Sequence, residues 1–359
     1  MRALYRAKRF PEQSGVNSTV QLTEREYYAT HPLKTERGPE VVGQAPAVSV
    51  RAPRTIIGAV ARVVRVEASL ALLMPATMGA LLAWWQTGNL HVPSLALTLC
   101  GLLVTVWGLA AWAEYADYVV SQRPGARSAP DVGASAYTLM GRGVLRPATV
   151  RDTGLIQLAI GALCSLWLTM LAGWPPLFFS GLSFLLAAVV IWEPVRYGFR
   201  GWGLGELGLL LALGMLPALT SYYVQAQSIG WLPVWAGGAF GLLTILLFLN
   251  HNTVHYRRDW LIHKRTLAVN LGLARAMDLS ALLTVAAHVA ILLMVIVMDL
   301  PLLALMGLGA LPVALGVFAR VDRSHPTPEQ CLQVYWTGLH ATVLAGLLFG
   351  VALILDKVV

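Results

Sequence analysis

Residues Asn250 to Gly272 read NHNTVHYRRDWLIHKRTLAVNLG and gather His251, His255, His263, Asp259, Arg257, Arg258, Lys264 and Arg265 between two apolar runs. A smaller cluster, Glu114-Tyr115-Ala116-Asp117-Tyr118, closes an earlier apolar run. Charge beside hydrocarbon is costly, so dense polar clusters at the ends of apolar runs are functional-site candidates. Glu114 and Asp117 are spaced i, i+3, and His255 and Asp259 i, i+4, which puts each pair on one helix face. Two such pairs facing each other could hold a divalent cation that bridges a phosphate group. Magnesium usually takes one or two carboxylates plus substrate phosphates, so a complete protein cage is unnecessary. Arg257, Arg258, Lys264 and Arg265 would add charge-assisted hydrogen bonds to a diphosphate. The competing reading is that the acids form interfacial ion pairs with neighbouring arginines.

The elements that must position these residues are membrane helices. The chain has 359 residues, of which 57% are hydrophobic and 12% charged, with a mean hydropathy of +0.65. A soluble domain carries about 25% charged residues. Apolar runs near the roughly 20 residues of a spanning helix fall at 67–87, 92–113, 153–172, 175–192, 205–225, 230–249, 276–297, 300–319 and 335–355. The fold expected is therefore all-α, a polytopic bundle of about nine transmembrane helices spread over residues 56–359.

The net charge of +8 does not point to nucleic acid, because Lys and Arg sit in alternate loops. Arg62 and Arg65, Arg123 to Arg151, Arg196 and Arg200, Arg257 to Arg275, and Arg320 and Arg323 mark one side, while the intervening loops QTGNLHVPS, GWPP, QAQSIGW and MDLP lack Lys and Arg. The positive-inside rule puts the N-terminus in the cytoplasm, the C-terminus outside and both polar clusters on the cytoplasmic side of the cell membrane. Residues 1–55 are polar and read as a disordered cytoplasmic tail. Cys100, Cys164 and Cys331 show no metal or disulfide spacing and are taken as packing residues. His251, His263, His288 and His340 are taken as structural.

Three segments resemble the UbiA superfamily of intramembrane prenyltransferases, most closely the branch acting on 1,4-dihydroxy-2-naphthoate. AEYADY (113–118), continued by VGASAYTLMGRGVLRP (132–147), resembles NDYxDY and the GGSR…GLLxP that follows it. RYGFRGWGLGELGLLLALGMLPALTSYYVQ (196–225) resembles YRGLGE…FGxLPVxGxYYxQ, and KRTLAVNLG (264–272) resembles GKxTLAVxLG. The resemblance implies a membrane enzyme that moves a polyprenyl group from its diphosphate to an aromatic, quinone-precursor-like acceptor. It implies magnesium, or another divalent metal because of His255, held by Glu114, Asp117, His255 and Asp259. Asn252, Arg257, Arg258, Lys264 and Arg265 would bind the diphosphate. Tyr115 and Tyr118, inside the first motif, would stabilise the allylic cation through their π faces.

The chain departs from the family pattern at several of these positions. The first motif, NxxxDxxD, falls on Ala110, Glu114 and Asp117, so one ligand is missing and one is a methylene longer. The second, DxxxD, falls on His255 and Asp259. Imidazole suits transition metals better than magnesium. The Arg after GGS falls on Ala136 and the Gly before Lys264 on His263, whereas Asn252, Glu206, Lys264 and Arg265 match. An alternative function follows: a catalytically degenerate relative that binds a quinone, isoprenoid or pigment, as a subunit of a membrane complex. A secondary transporter fits less well, because its polar residues gather at the bilayer midplane.

Overall fold

The computed structural model describes residues 56–122, 136–141, 143–191, 203–261 and 264–358. The expectations for the 1–55 tail, and for Arg123, Arg127, Arg142, Arg196, Arg200 and His263, lie outside those residues. The described elements are all helical. Helix α1 (Ile56–Val63) and a single 3₁₀ turn (Val66–Ala68) lead into α2 (Ser69–Thr87) and α3 (Val92–Ser121). Next come α4 (Ala136–Gly141), α5 (Pro147–Ala172), α6 (Pro175–Ile191), α7 (Leu204–Ala226) and α8 (Trp231–Val254). The short α9 (Tyr256–Leu261) and α10 (Leu267–Leu271) follow, then α11 (Leu273–Val297), α12 (Leu302–Gly316) and α13 (Pro328–Val358).

The sequence punctuates these helices as expected. Pro93, Pro147, Pro175 and Pro328 stand in the first turns of α3, α5, α6 and α13, where a missing N–H costs nothing. Gly88 ends α2 at φ 75 and Gly173 ends α5 at φ 86, a backbone region that side chains disfavour.

Seven helices among the described residues are long and apolar enough to cross a membrane: the turn and α2, α3, α5, α7, α8, α11 and α13. The shorter α6 and α12 occupy the fourth and eighth expected runs. The α6 segment reaches Ile191, where the described residues stop. The first nine residues of α12, Leu302–Ala310, are 3₁₀ and the last six α-helical. At about 2.0 and 1.5 Å of rise per residue, that segment reaches about 27 Å, against about 22 Å as pure α-helix. The tighter winding gives a short run nearly the thickness of a hydrocarbon core.

Packing ranks the helices. In α8, 72% of the most apolar window is buried, against 17% in α5, so α8 is the axis of the bundle and α5 lies at its rim. Phe240 of α8 meets Phe349 of α13 edge-on at 5.6 Å, within a core that also takes Met78, Leu82, Ile291 and Met294. Small residues let backbones touch, as is usual between membrane helices. A Cβ at Gly214, in the π-helical turn of α7, would lie 2.7 Å from the Gly237 carbonyl oxygen of α8.

Two boundaries differ from expectation and both matter for the site. Helix α3 runs eight residues past the predicted Ala113 end, to Ser121, so Glu114 and Asp117 stay on regular helix. The chain from Trp231 is not one helix as far as Asp259. It breaks at His255 (φ −97, ψ 13) and restarts as α9.

Candidate active site

Glu114 and Asp117 lie one turn apart on α3, and both are buried. The break after α8 turns α9 so that Arg258 and Asp259 are buried too. Although the helix is interrupted, the Asp259 N–H still donates to the His255 carbonyl at 2.9 Å, so the i, i+4 relation survives. The Asp259 carbonyl then accepts from the Lys264 N–H at 2.7 Å, which folds the next segment back over the acid.

Side chains from the two helices interlock. Lys264 Nζ donates to Asp117 Oδ2 at 2.7 Å and lies 4.0 Å from Asp259 Oδ1. Arg258 Nη2 donates to Asp259 Oδ1 at 3.0 Å and lies 3.6 Å from Asp117 Oδ2. Asp117 and Asp259, 142 positions apart in sequence, are thus bridged by the same two cations. Burying four charges is tolerable only when they are paired and hydrogen-bonded in this way. Beside them the rings of His251 and His255 stand 4.4 Å apart, and His251 lies 5.9 Å from Tyr335 of α13.

Two supports are tertiary. Glu206, buried at the start of α7, accepts a hydrogen bond from the backbone of Leu267, and the Thr266 hydroxyl accepts from the Val269 N–H at 3.3 Å. An acid and a hydroxyl at the N-terminus of α10 satisfy its free N–H groups and anchor the segment that carries Lys264. The GLGE and KRTLAV motifs therefore meet in space. The second support is Arg65, whose Nη2 donates to Glu114 Oε1 at 2.9 Å. From the sequence Arg65 is read only as a topology signal. The one hint of another role is its position as the last base before the first apolar run.

The other expected residues fall outside this buried network. Asn252 is half-buried on the last turn of α8, and Arg257 and Arg265 are exposed. Tyr115 and Tyr118 occupy the neighbouring face of α3, packed against a cluster that includes Val63, Leu139, Leu145 and Val150. Tyr115 also lies 6.0 Å from Trp112. Tyr256, at the start of α9, has its phenol pushed up by burial. His288 is buried in α11 and hydrogen-bonds the Thr284 carbonyl at 2.8 Å, in keeping with a structural role.

The competing reading of the acids is realised in the contacts, since Glu114, Asp117 and Asp259 each meet a base. Among the described residues no group of three or more His, Cys, Asp or Glu side chains is arranged to hold a metal ion. One atom does fit a cation. Asp259 Oδ2 is buried without a hydrogen-bond partner, a costly state for a carboxylate oxygen. A divalent ion would find one carboxylate ligand in that oxygen, and magnesium-type ions usually take only one or two carboxylates from a protein.

Comparison with known proteins accords with this geometry. The model of the UbiA prenyltransferase family matches residues 72–339. The chain is 27% identical to a 1,4-dihydroxy-2-naphthoate octaprenyltransferase of Mycobacterium leprae over 83% of this chain and 92% of that one. It is 25% identical to a 2-carboxy-1,4-naphthoquinone phytyltransferase of Synechocystis sp., over 77% and 86%. Its fold superposes on a UbiA homolog from Archaeoglobus fulgidus with a TM-score of 0.56 at 12% identity, covering 81% of this chain and 99% of that one. The same homolog bound to DMAPP and Mg2+ gives 0.54 at 15% identity, with the same coverage.

Proposed function

The chain belongs to the UbiA prenyltransferase family, and from that premise we propose that it moves a polyprenyl group from its diphosphate to an aromatic acceptor of the dihydroxynaphthoate class. The observation that carries this is the bridging of Asp117 and Asp259 by Arg258 and Lys264 at one end of an apolar helical bundle. A diphosphate is the ligand such a cluster suits: Arg258 and Lys264 exchange part of their pairing with the acids for phosphate oxygens. Arg257, Arg265 and Asn252, at the edge of the cluster, attract and orient the same anion. The family pattern assigns a divalent metal, magnesium or another, to Glu114, Asp117, His255 and Asp259, of which Asp259 offers a buried oxygen without a hydrogen-bond partner. That ion, when bound, neutralises charge on the diphosphate and makes it a better leaving group.

In the reaction the allylic C–O bond breaks and diphosphate departs with the electron pair. Arg258 and Lys264 hold the departing charge in a site already organised for it. The acceptor's aromatic carbon attacks the allylic cation, a carbon–carbon bond forms, and the ring loses a proton or its carboxylate. The apolar helices around the cluster hold the isoprenoid tail and keep water from the cation.

The topology proposed has nine membrane crossings over residues 56–359, with the 1–55 segment as a polar cytoplasmic tail and the site facing the cytoplasm. It is supported by seven long and two shorter apolar helices and by the alternation of basic loops. Purified protein in lipid nanodiscs, given a polyprenyl diphosphate, 1,4-dihydroxy-2-naphthoate and magnesium or manganese, should release inorganic diphosphate and form the prenylated ring. Binding of the isoprenoid without release, across several acceptors, would instead support the non-catalytic binder.

A further inference from the structure

The four residues assigned to a metal are not equivalent. On the α3 wall, Glu114 is engaged by Arg65 at 2.9 Å, with 4% of the Glu114 side chain exposed against 21% of Arg65's. Arg65 holds a left-handed backbone (φ 56, ψ 53) between α1 and the first long helix. A non-glycine residue persists there only where its surroundings over-determine it. On the opposite wall, Asp259 gives one oxygen to Arg258 and keeps Oδ2 buried without a partner. Position 110, one turn before Glu114, is alanine and offers no ligand. The α3 wall therefore presents Glu114 paired with Arg65 and Asp117 paired with Lys264, and the α9 wall an available carboxylate oxygen of Asp259.

We infer that Arg65 is a fixed cation of the diphosphate site: Glu114 orients it and does not ligate metal, and the divalent ion is confined to the Asp117–Asp259 side. A guanidinium offers five N–H donors in a fork that matches phosphate oxygens, and Glu114 engages one of them in the observed geometry. Arg65 then serves the diphosphate from the α3 wall as a cation that no chelator removes. The inference deepens the proposed function and rests on its diphosphate reading.

The test is Mn2+ titration of the full chain in nanodiscs, followed by electron paramagnetic resonance, with inorganic diphosphate at saturation. One Mn2+ per chain is expected. Glu114→Gln should keep that stoichiometry with affinity within about twofold, whereas Asp259→Asn should weaken Mn2+ by tenfold or more, about the cost of losing one charged ligand. Removing Arg65 alone takes one cation away from the buried Glu114 and is expected to lower stability. The double variant Arg65→Met/Glu114→Gln removes both charges and should still bind one Mn2+ while holding diphosphate about tenfold more weakly. Two Mn2+ per chain, or a loss in Glu114→Gln as large as in Asp259→Asn, would overturn the role given to Arg65 and leave the prenyltransferase reading intact. No Mn2+ at all would overturn both.

Discussion

The two ends of the bundle use polar residues in opposite ways. At one end Glu114, Asp117, Arg258, Asp259 and Lys264 are buried and interlocked between α3 and α9. At the other, Trp85 Nε1 donates to Asp356 Oδ2 at 2.8 Å, Lys357 Nζ to the Trp85 carbonyl at 2.8 Å, and the His91 N–H to Gln225 Oε1 at 2.8 Å, all at exposed positions. Tyr222, buried in the core, donates to the exposed Gln86 at the same end. The second set ties helix ends together in contact with water, where each bond is worth little. The first set pays a desolvation cost that packing alone would not require. Charges buried at one end and not the other are what the diphosphate proposed for that end would require.

Substitutions can break or sharpen this contrast. The largest effect is expected from Asp259→Asn, which should lower turnover by about 10²–10³-fold, the usual scale for losing one charge-stabilising group, and should also lower the unfolding temperature because it takes a partner from the buried Arg258. Lys264→Met should come next and act on stability too. It leaves Asp117 with less than its full pairing in a buried setting, at about 3–5 kcal/mol, read by thermal unfolding in detergent. Combining it with Asp117→Asn should restore part of that loss, because coupled neighbours are not additive. Glu206→Ala should raise KM for the prenyl diphosphate by about tenfold with a smaller change in kcat, since it loosens the segment carrying Lys264 and touches no substrate.

Tyr115→Leu and Tyr118→Leu separate packing from cation stabilisation. From the rings' position against Val63, Leu145 and Val150, we expect a stability loss of about 1–3 kcal/mol and less than a tenfold change in kcat. A large kcat loss at constant KM would give the rings a cation role instead. The smallest effect belongs to the opposite end, where Asp356→Asn should shift stability by no more than about 0.5 kcal/mol and leave turnover as it was.

How much of this was legible in the sequence depends on the range of the interaction. The i, i+3 spacing of Glu114 and Asp117 and the alternation of basic loops are local signals that point to one end of the bundle, and there Asp117 meets Lys264 and Arg258. What escaped depends on where the chain turns. Arg65 reads as one more base before an apolar run, and its partnership with Glu114 needs a left-handed backbone step and a contact across 49 residues. The link from Glu206 to the Leu267 backbone joins two motifs that sequence can list but cannot bring together. The break at His255 follows no proline or glycine, and α9 exists because tertiary contacts hold Arg258 and Asp259 inward.

The central claim is that Asp117 and Asp259 serve one diphosphate. It is tested most directly by measuring inorganic diphosphate release from a polyprenyl diphosphate by wild type, Asp117→Asn, Asp259→Asn and the double variant, in nanodiscs with magnesium and a dihydroxynaphthoate acceptor. Residues acting as a unit lose activity together. Release by the wild type, similar large losses in both single variants, and no further loss in the double are expected. Multiplicative losses, or a wild type that releases nothing with any divalent metal, would contradict it.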